Sequence, residues 1–386
     1  MLYEFMHKDK VVGIANDFKQ LRQIYMIQEL PIGTYSNNPI LRSRLFESWL
    51  HGRTIPQDRQ NKTQIESILH MSISNAYLES LDVSLTDCYW FRPQGSNLKW
   101  KDVNFLDNGF SQDFAKRMLY NTSNNIDINI PDITTDGTLK KVWVSINNEP
   151  TLIKYGDLDK RSQNKHMLSA NEVIASEISN ILNINHAQYY PIRVQANNSL
   201  GNVEIVCACP CIIQDSNLEM VNMLQLTHMD RKYQKMGIKN LYESIGNEKA
   251  LNDMLFLDAF LENIDRHERN IAFIKNADSP EILSAAPLYD SGSCLAFSSG
   301  EELKPFSMTT KEQLEYVYNK DNRYFKNLDL DYIKKIIISN YEIFGIPESL
   351  CNESTKIINK NFNIVKEIVN KQIFVQKKYE EDNYER

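Results

Sequence analysis

The chain has 386 residues, 42 % hydrophobic and 24 % charged, the composition of an ordinary globular protein of two or three structural units. Lys and Arg number 43 against 50 Asp and Glu, a net charge of −7, which argues against a general phosphate-backbone binder, so no direct nucleic-acid contact is expected. No apolar run reaches the roughly 18 residues of a membrane span, and the N-terminal residues lack the basic and apolar segments of a signal peptide. A cytoplasmic protein without membrane contact is therefore expected.

Residues 2–6 and 11–15 read as a small hairpin, and 40–51 as a helix with Pro39 in its first turn and Gly52 at its end. Residues 64–78 read as a second helix. Aromatic residues then accumulate: Tyr89, Trp90, Phe91, Trp100 and Phe105. They could form a nucleic-acid stacking surface, but the acidic balance favours core packing. Residues 119–131, rich in Asn, Ser and Asp, read as a linker.

Strands follow. Residues 139–146 alternate, with Val142, Val144 and Ile146 on one face; 147–150 form a turn and 151–155 the return strand. Lys154 sits amid that apolar strand, where an ammonium needs an anionic partner or must snorkel to water. Ahead of the hairpin, Thr134, Thr135, Asp136, Gly137, Thr138, Leu139, Lys140 and Lys141 form a short polar loop. Gly137 is the only glycine between Gly109 and Gly156, so a G-x-G-x-x-G loop is ruled out. One glycine can still let several backbone N–H groups face a phosphate.

Residues 156–168 read as a connector. A helix over 172–182, capped by Ser169 or Asn171, offers Glu172 and Glu177 as partners for Lys154, with Glu172 favoured. Residues 186–194 and 203–213 read as strands across a 197–202 turn. Cys207, Cys209 and Cys211 alternate on one strand face without Cys-x-x-Cys spacing and read as buried thiols. Pro210 argues for an edge position or a bulge. Beyond 217 the chain reads as almost all helical, at 250–262, 310–318, 331–341 and 354–376, with a tail, 377–386, that should fray.

One stretch, 257–295, concentrates the chemistry. Its helix stops near Glu262. Strands at 271–275 and 282–288 flank a turn, and antiparallel pairing should bring Asn270 towards Asp290. Asp265 lies five residues before Asn270. Two carboxylates and an amide suit a hard cation such as Mg²⁺, which takes oxygen ligands and completes its shell with substrate phosphates.

Asp265-Arg266-His267-Glu268-Arg269-Asn270, followed by Tyr289-Asp290-Ser291-Gly292, resembles the catalytic and metal-binding loops of the HipA-like kinases, relatives of the phosphatidylinositol kinases. The Asp-Arg-His order, the reverse of that in ordinary protein kinases, is shared with lipid kinases. The resemblance implies an α+β fold: a two-lobed protein-kinase-like architecture with a small β-rich lobe, a large helical lobe and an additional N-terminal region. Domains are expected at 1–125 (N-terminal extension), 126–214 (nucleotide-binding lobe) and 215–386 (catalytic lobe), with a hinge at 214–217 and ATP with Mg²⁺ between the lobes. It further implies Asp265 as the base, Asn270 and Asp290 as metal ligands, and Lys154, paired with Glu172, as the α/β-phosphate clamp. Gly137, Thr138, Lys140 and Lys141 match the single-glycine phosphate loop of that family. His267 would brace the loop or donate to a phosphate, or be a satisfied buried histidine.

A serine/threonine protein kinase with a protein acceptor is the leading expectation, and the resemblance admits a toxin with an antitoxin partner. A small-molecule or lipid kinase and a pseudokinase binding module are the alternatives. A threonine among Thr134, Thr135 and Thr138 could be a self-phosphorylation site, although turn-forming threonines are the plainer reading. The pieces between 84 and 105 resemble the N-terminal extension of a group of HipA-like proteins, for which the residues suggest no role.

Overall fold

The computed structural model describes residues 2–120, 126–156, 164–195, 203–229, 231–279, 281–297 and 308–384. The chain divides into two compact units. The first gathers Met1–Tyr155, Ile192–Gly246 and Glu268–Ala286; the second gathers Gly156–Pro191, Asn247–His267 and Pro287–Arg386. Both are therefore built from separated stretches rather than from the contiguous segments 1–125, 126–214 and 215–386. Residues 156–191, expected in the small lobe, group with the second unit, because their helix, Met167–Ile181, packs on the helix Leu330–Phe344 there.

The first unit carries the described strands, apart from Tyr190 and Pro191 at the start of one. Strands β1 (Leu2–His7), β2 (Lys10–Asn16), β3 (Leu21–Ile24) and β4 (Tyr89–Pro93) form a sheet in the order β3-β2-β1-β4. Strands β5 (Lys141–Ile146), β6 (Glu149–Lys154), β7 (Tyr190–Gln195) and β8 (Val203–Pro210) form a second in the order β5-β6-β8-β7. The β5–β6 turn needs only Asn147 (φ 52°) and Asn148 (φ 66°), both left-handed, which asparagine tolerates and a two-residue hairpin requires. Glu149 and Pro150 already belong to β6. Pro210 lies in an inner strand, against expectation, but is the strand's last residue, where a missing N–H interrupts little of the ladder. The turn expected at 197–202 lies outside the described residues, as do 121–125 of the linker and 157–163 of the connector.

A third sheet, β11-β10-β9, comprises β9 (Leu218–Asn222), β10 (Ala272–Asn276) and β11 (Ile282–Ala285). The β10–β11 hairpin has the expected antiparallel pairing, Phe273 opposite Ala285. β9 was not expected: five residues, Leu-Glu-Met-Val-Asn, are too few to set a period of two against the helical pattern that follows. The single helix expected at 64–78 is two, Lys62–Leu69 and Ile73–Glu79, because His70 turns left-handed (φ 55°) and Ser72 then caps the second.

The aromatic segments are core. Trp90 and Phe91 are fully buried, and Trp90 and Trp100 share a cluster with Trp143 of β5 and Cys211. Ile65, Ile68 and Phe114 pack with Val142, Ile153 and Val206. The N-terminal region thus shares its hydrophobic core with the β5–β8 sheet. A buried charge network ties β1 to the third sheet: His7 contacts Glu219 at 3.1 Å and Glu29 at 2.8 Å, and Lys275 contacts Glu219 at 2.5 Å. The cysteines are free, and all but Cys351 are buried, as expected.

The second unit is almost wholly helical: Met167–Ile181, Glu248–Leu261, Thr310–Lys320, Arg323–Lys326, Leu330–Phe344 and Glu348–Tyr384. Met167–Ile181 starts ahead of the expected caps, so Ser169 and Asn171 are buried within it. The last helix runs on to Tyr384 through most of the tail that was expected to fray. No helix among the described residues is long and apolar enough to cross a membrane.

Candidate active site

The candidate residues fall into two groups, one in each unit. In the first unit the loop before β5 turns at Gly137, whose φ of 101° suits glycine and strains any side chain. A Cβ there would strike the Lys141 ammonium, which folds over the loop and donates to the Asp136 carbonyl at 2.8 Å. The Asp136 carboxylate accepts the Gly137 N–H at 2.7 Å through Oδ1 and pairs with Arg269 at 3.1 Å through Oδ2. Arg269 precedes Asn270 in the short turn Glu268–Asn270, so this pair places the buried Asn270's turn beside the glycine loop.

Lys141 and Lys154 are directly opposite in the β5–β6 ladder, and Lys154 is only 6 % exposed. Opposed like charges destabilise a strand pair, and a buried ammonium calls for negative charge. Two opposed lysines on one strand face, with Lys141 folded over a loop that turns at a left-handed glycine, suit an anion such as phosphate. The structure puts Lys140 elsewhere, its ammonium 4.0 Å from the centre of the Tyr155 ring. Of the threonines, Thr134 is buried with its hydroxyl on the Val83 carbonyl at 2.8 Å, and Thr135 accepts the Trp143 indole N–H at 2.8 Å. Thr138 is exposed.

In the second unit, the helix Glu248–Leu261 ends on Glu262 in the left-handed conformation (φ 55°). The polar stretch after it is drawn back onto the helix. Arg266, 1 % exposed, grips Asp258 through two nitrogens, at 2.9 and 3.1 Å, and Asn263 donates to the same carboxylate at 2.8 Å. The guanidinium also donates to the Tyr289 carbonyl at 2.6 Å and to the Ser291 hydroxyl at 3.1 Å. Arg266 thereby holds both neighbours of Asp290 while following Asp265 in the chain. Burial opposes its charge, but Asp258 and, less strongly, Asp290 keep its pKa above the ordinary arginine value.

The Asp290 segment is pinned from its other side too. Ile264 N–H donates to the Ser293 carbonyl at 3.0 Å, and the buried Glu172 accepts the Ser291 N–H at 2.9 Å. Asn171 donates to the carbonyls of Gly292 (3.1 Å) and Cys294 (2.7 Å) and is itself fixed by the Tyr341 hydroxyl at 2.9 Å. A side chain at Gly292 would come within 2.7 Å of the Leu168 carbonyl, so only glycine fits. Asp290 has φ 58°, and both it and Asp265 are half-buried. His267 is exposed, which overturns the reading of it as a satisfied buried histidine. Glu172 is buried while Glu177 is only half-buried.

Among the described residues, no group of three or more His, Cys, Asp or Glu is arranged to hold a metal. Asp265, Asn270 and Asp290 each carry carboxylate or amide oxygens, the donor types that suit Mg²⁺ bound jointly with phosphates.

Sequence reasoning missed Arg266, Asp258, Asn171 and Arg269. Asp258 had a signal: a carboxylate inside the apolar run Leu257–Phe260 needs a buried partner.

No protein-family model matches the sequence, and no curated protein matches it. Solved structures do. The Helicobacter pylori proinflammatory kinase CtkA is 19 % identical with a TM-score of 0.40, over 61 % of this chain and 94 % of that one. HipA of the Shewanella oneidensis MR-1 toxin–antitoxin system, solved with HipB and its operator DNA, is 14 % identical with a TM-score of 0.51, over 95 % of this chain and 97 % of that one. The chain has the kinase-like fold of HipA, as its sequence resemblance to the HipA-like kinases implies.

Proposed function

We propose that this chain is an ATP- and Mg²⁺-dependent phosphotransferase that moves the γ-phosphoryl group to a hydroxyl, and that its acceptor is a serine or threonine of a protein. The Arg266 brace carries the proposal, because one buried guanidinium, next to Asp265 in the chain, is anchored on Asp258 and bonds both neighbours of Asp290. Asp265 orients the attacking hydroxyl and takes its proton. Asn270 and Asp290 hold Mg²⁺, which when bound neutralises charge on the transferring phosphoryl group. Lys154 clamps the α- and β-phosphates, with Glu172 as the carboxylate that the resemblance pairs with it. Gly137, Thr138 and Lys141 line the phosphate loop, and the exposed His267 fits a phosphate donor.

A pseudokinase would have no need for Asp265, Asn270, Asp290 and Lys154 together. The Asp-Arg-His order supports a small-molecule or lipid kinase as the second reading. That HipA was solved with HipB motivates a further proposal, a toxin role with an antitoxin partner. The exposed Thr138 is the loop hydroxyl open to self-phosphorylation. Incubation with labelled ATP and Mg²⁺, with cell lysate added as acceptor, tests the reading. Label should appear on protein, and Asp265→Ala should lower transfer by about 10²–10⁴-fold while leaving ATP binding intact. Label only on small molecules or lipid favours the second reading; no transfer with retained ATP binding leaves the pseudokinase.

A further inference from the structure

The stretch Arg59-Gln60-Asn61 lies in the N-terminal region, for which the sequence suggests no role, yet it is fastened to the glycine loop. The Gln60 N–H donates to the Thr138 carbonyl at 2.9 Å, and the Gln60 side-chain oxygen accepts the Lys140 N–H at 3.2 Å. Arg59 donates to the Thr135 carbonyl. Arg59 is only 3 % exposed, and its Nε and Nη1 find no hydrogen-bond partner among the described residues. Burial lowers its pKa to about 10, with Asp132 and Asp136 opposing, so it stays charged at neutral pH. The stretch leads into the helix Lys62–Leu69, whose Ile65, Ile68 and Leu69 share a core with Val142, Val144 and Ile153. The clamp is thus anchored on the strands that the loop feeds.

These contacts fix the loop's polarity. A trans peptide points its C=O and N–H in opposite directions. With the carbonyls of Thr135 and Thr138 turned to Arg59 and Gln60, the N–H groups of Asp136 and Leu139 point away from the N-terminal region. Backbone N–H groups held in one direction form an anion-binding concavity.

We infer that Arg59 and Gln60 are positioning residues that hold the phosphate loop with its N–H groups ready for a nucleoside triphosphate, which makes the N-terminal region part of the nucleotide site. This rests on the phosphotransferase reading above. Gln60 is exposed, so Gln60→Ala should leave the melting temperature unchanged, whereas Arg59→Met removes a buried side chain and serves only as a supporting variant.

Two readouts on the full chain test the inference. Hydrogen exchange over residues 135–141 should rise in Gln60→Ala and return towards wild type in Gln60→Glu, which keeps the acceptor for Lys140. The Kd for ATP with Mg²⁺, by titration calorimetry, should rise roughly five-fold in Gln60→Ala, the effect of about one hydrogen bond, while turnover at saturating ATP stays within about two-fold. Unchanged exchange overturns the positioning role alone. Faster exchange with an unchanged Kd also overturns it. A wild-type chain that binds no nucleotide overturns the phosphotransferase reading and this role together, whatever the exchange shows.

Discussion

The Asp290 segment and the Gly137 loop are both proposed to meet phosphate or its metal, yet they are held in opposite ways. Around Asp290 the fastenings are buried: Arg266 on Asp258, Asn171 on two carbonyls, and Glu172 on a backbone N–H. Around Gly137 they are half-open. The Asp136–Arg269 pair has side chains 38 % and 53 % exposed, and Gln60 is exposed as well. A buried charge pair is costly to break because its survivor cannot rehydrate, whereas an exposed pair is screened and readily exchanged. The Asp290 segment is thus held by buried side chains throughout, whereas the glycine loop is held from beneath by the buried Arg59 and otherwise by exposed contacts that salt can weaken.

Arg266→Met should break the comparison most sharply. It strands the Asp258 carboxylate in the interior and frees both neighbours of Asp290, and should cost about 3–5 kcal/mol of stability in denaturant titrations. Phosphoryl transfer should vanish with it. A loss below about 1 kcal/mol would place the Asp290 brace in the same class as surface pairs. Next comes Lys154→Met, which keeps the aliphatic length and removes one of two opposed cations. Transfer should fall by at least roughly ten-fold; transfer near the wild-type rate would move the phosphate clamp to Lys140 or Lys141.

A third test asks whether a buried network in the first unit behaves like the Arg266 brace of the second. Burial works against charge on His7, but Glu219 and Glu29 more than offset it and raise its pKa above 6.5. Stability from His7 is therefore fully present below pH 6.5 and is lost as pH rises through the folded-state pKa. Glu219 has the opposite sign. Despite burial, His7 and Lys275 hold it down to about 2, so its contribution is lost as pH falls from the ordinary glutamate range towards that value. Comparing wild type with His7→Gln across pH 5–9 should show a difference on the order of 1 kcal/mol that closes on the alkaline side. A gap independent of pH would mean that His7 acts by packing alone. The smallest effect belongs to Arg269→Ala, within about 1 kcal/mol and fading at high salt.

Local pattern made much of this legible. The Pro39 helix, the β5–β6 and β10–β11 hairpins and the stop at Glu262 each follow from a cap, a turn or an alternation within a few residues. The three motif positions Asp265, Asn270 and Asp290 were marked by residue type and by likeness to a known pattern. What pattern could not show was long-range. β9 is too short to announce itself and exists because β10 pairs with it. Asn171 looked like a helix cap but lies inside a helix that starts earlier, fastening residues more than a hundred positions away. Gln60 carries no local signal at all; its partners are Thr138 and Lys140.

The left-handed backbone at Asp290 sets a trap for anyone who would make this chain more robust. With φ 58°, the position suits glycine better than aspartate, and a non-glycine residue there is held in a sparsely populated conformation. Asp290→Gly should relax that strain and remove a charge from a half-buried place in one step. A library screened for heat resistance alone would therefore enrich glycine at position 290 and return hardy chains stripped of the carboxylate proposed to bind metal. Selection on survival and selection on turnover pull this residue in opposite directions.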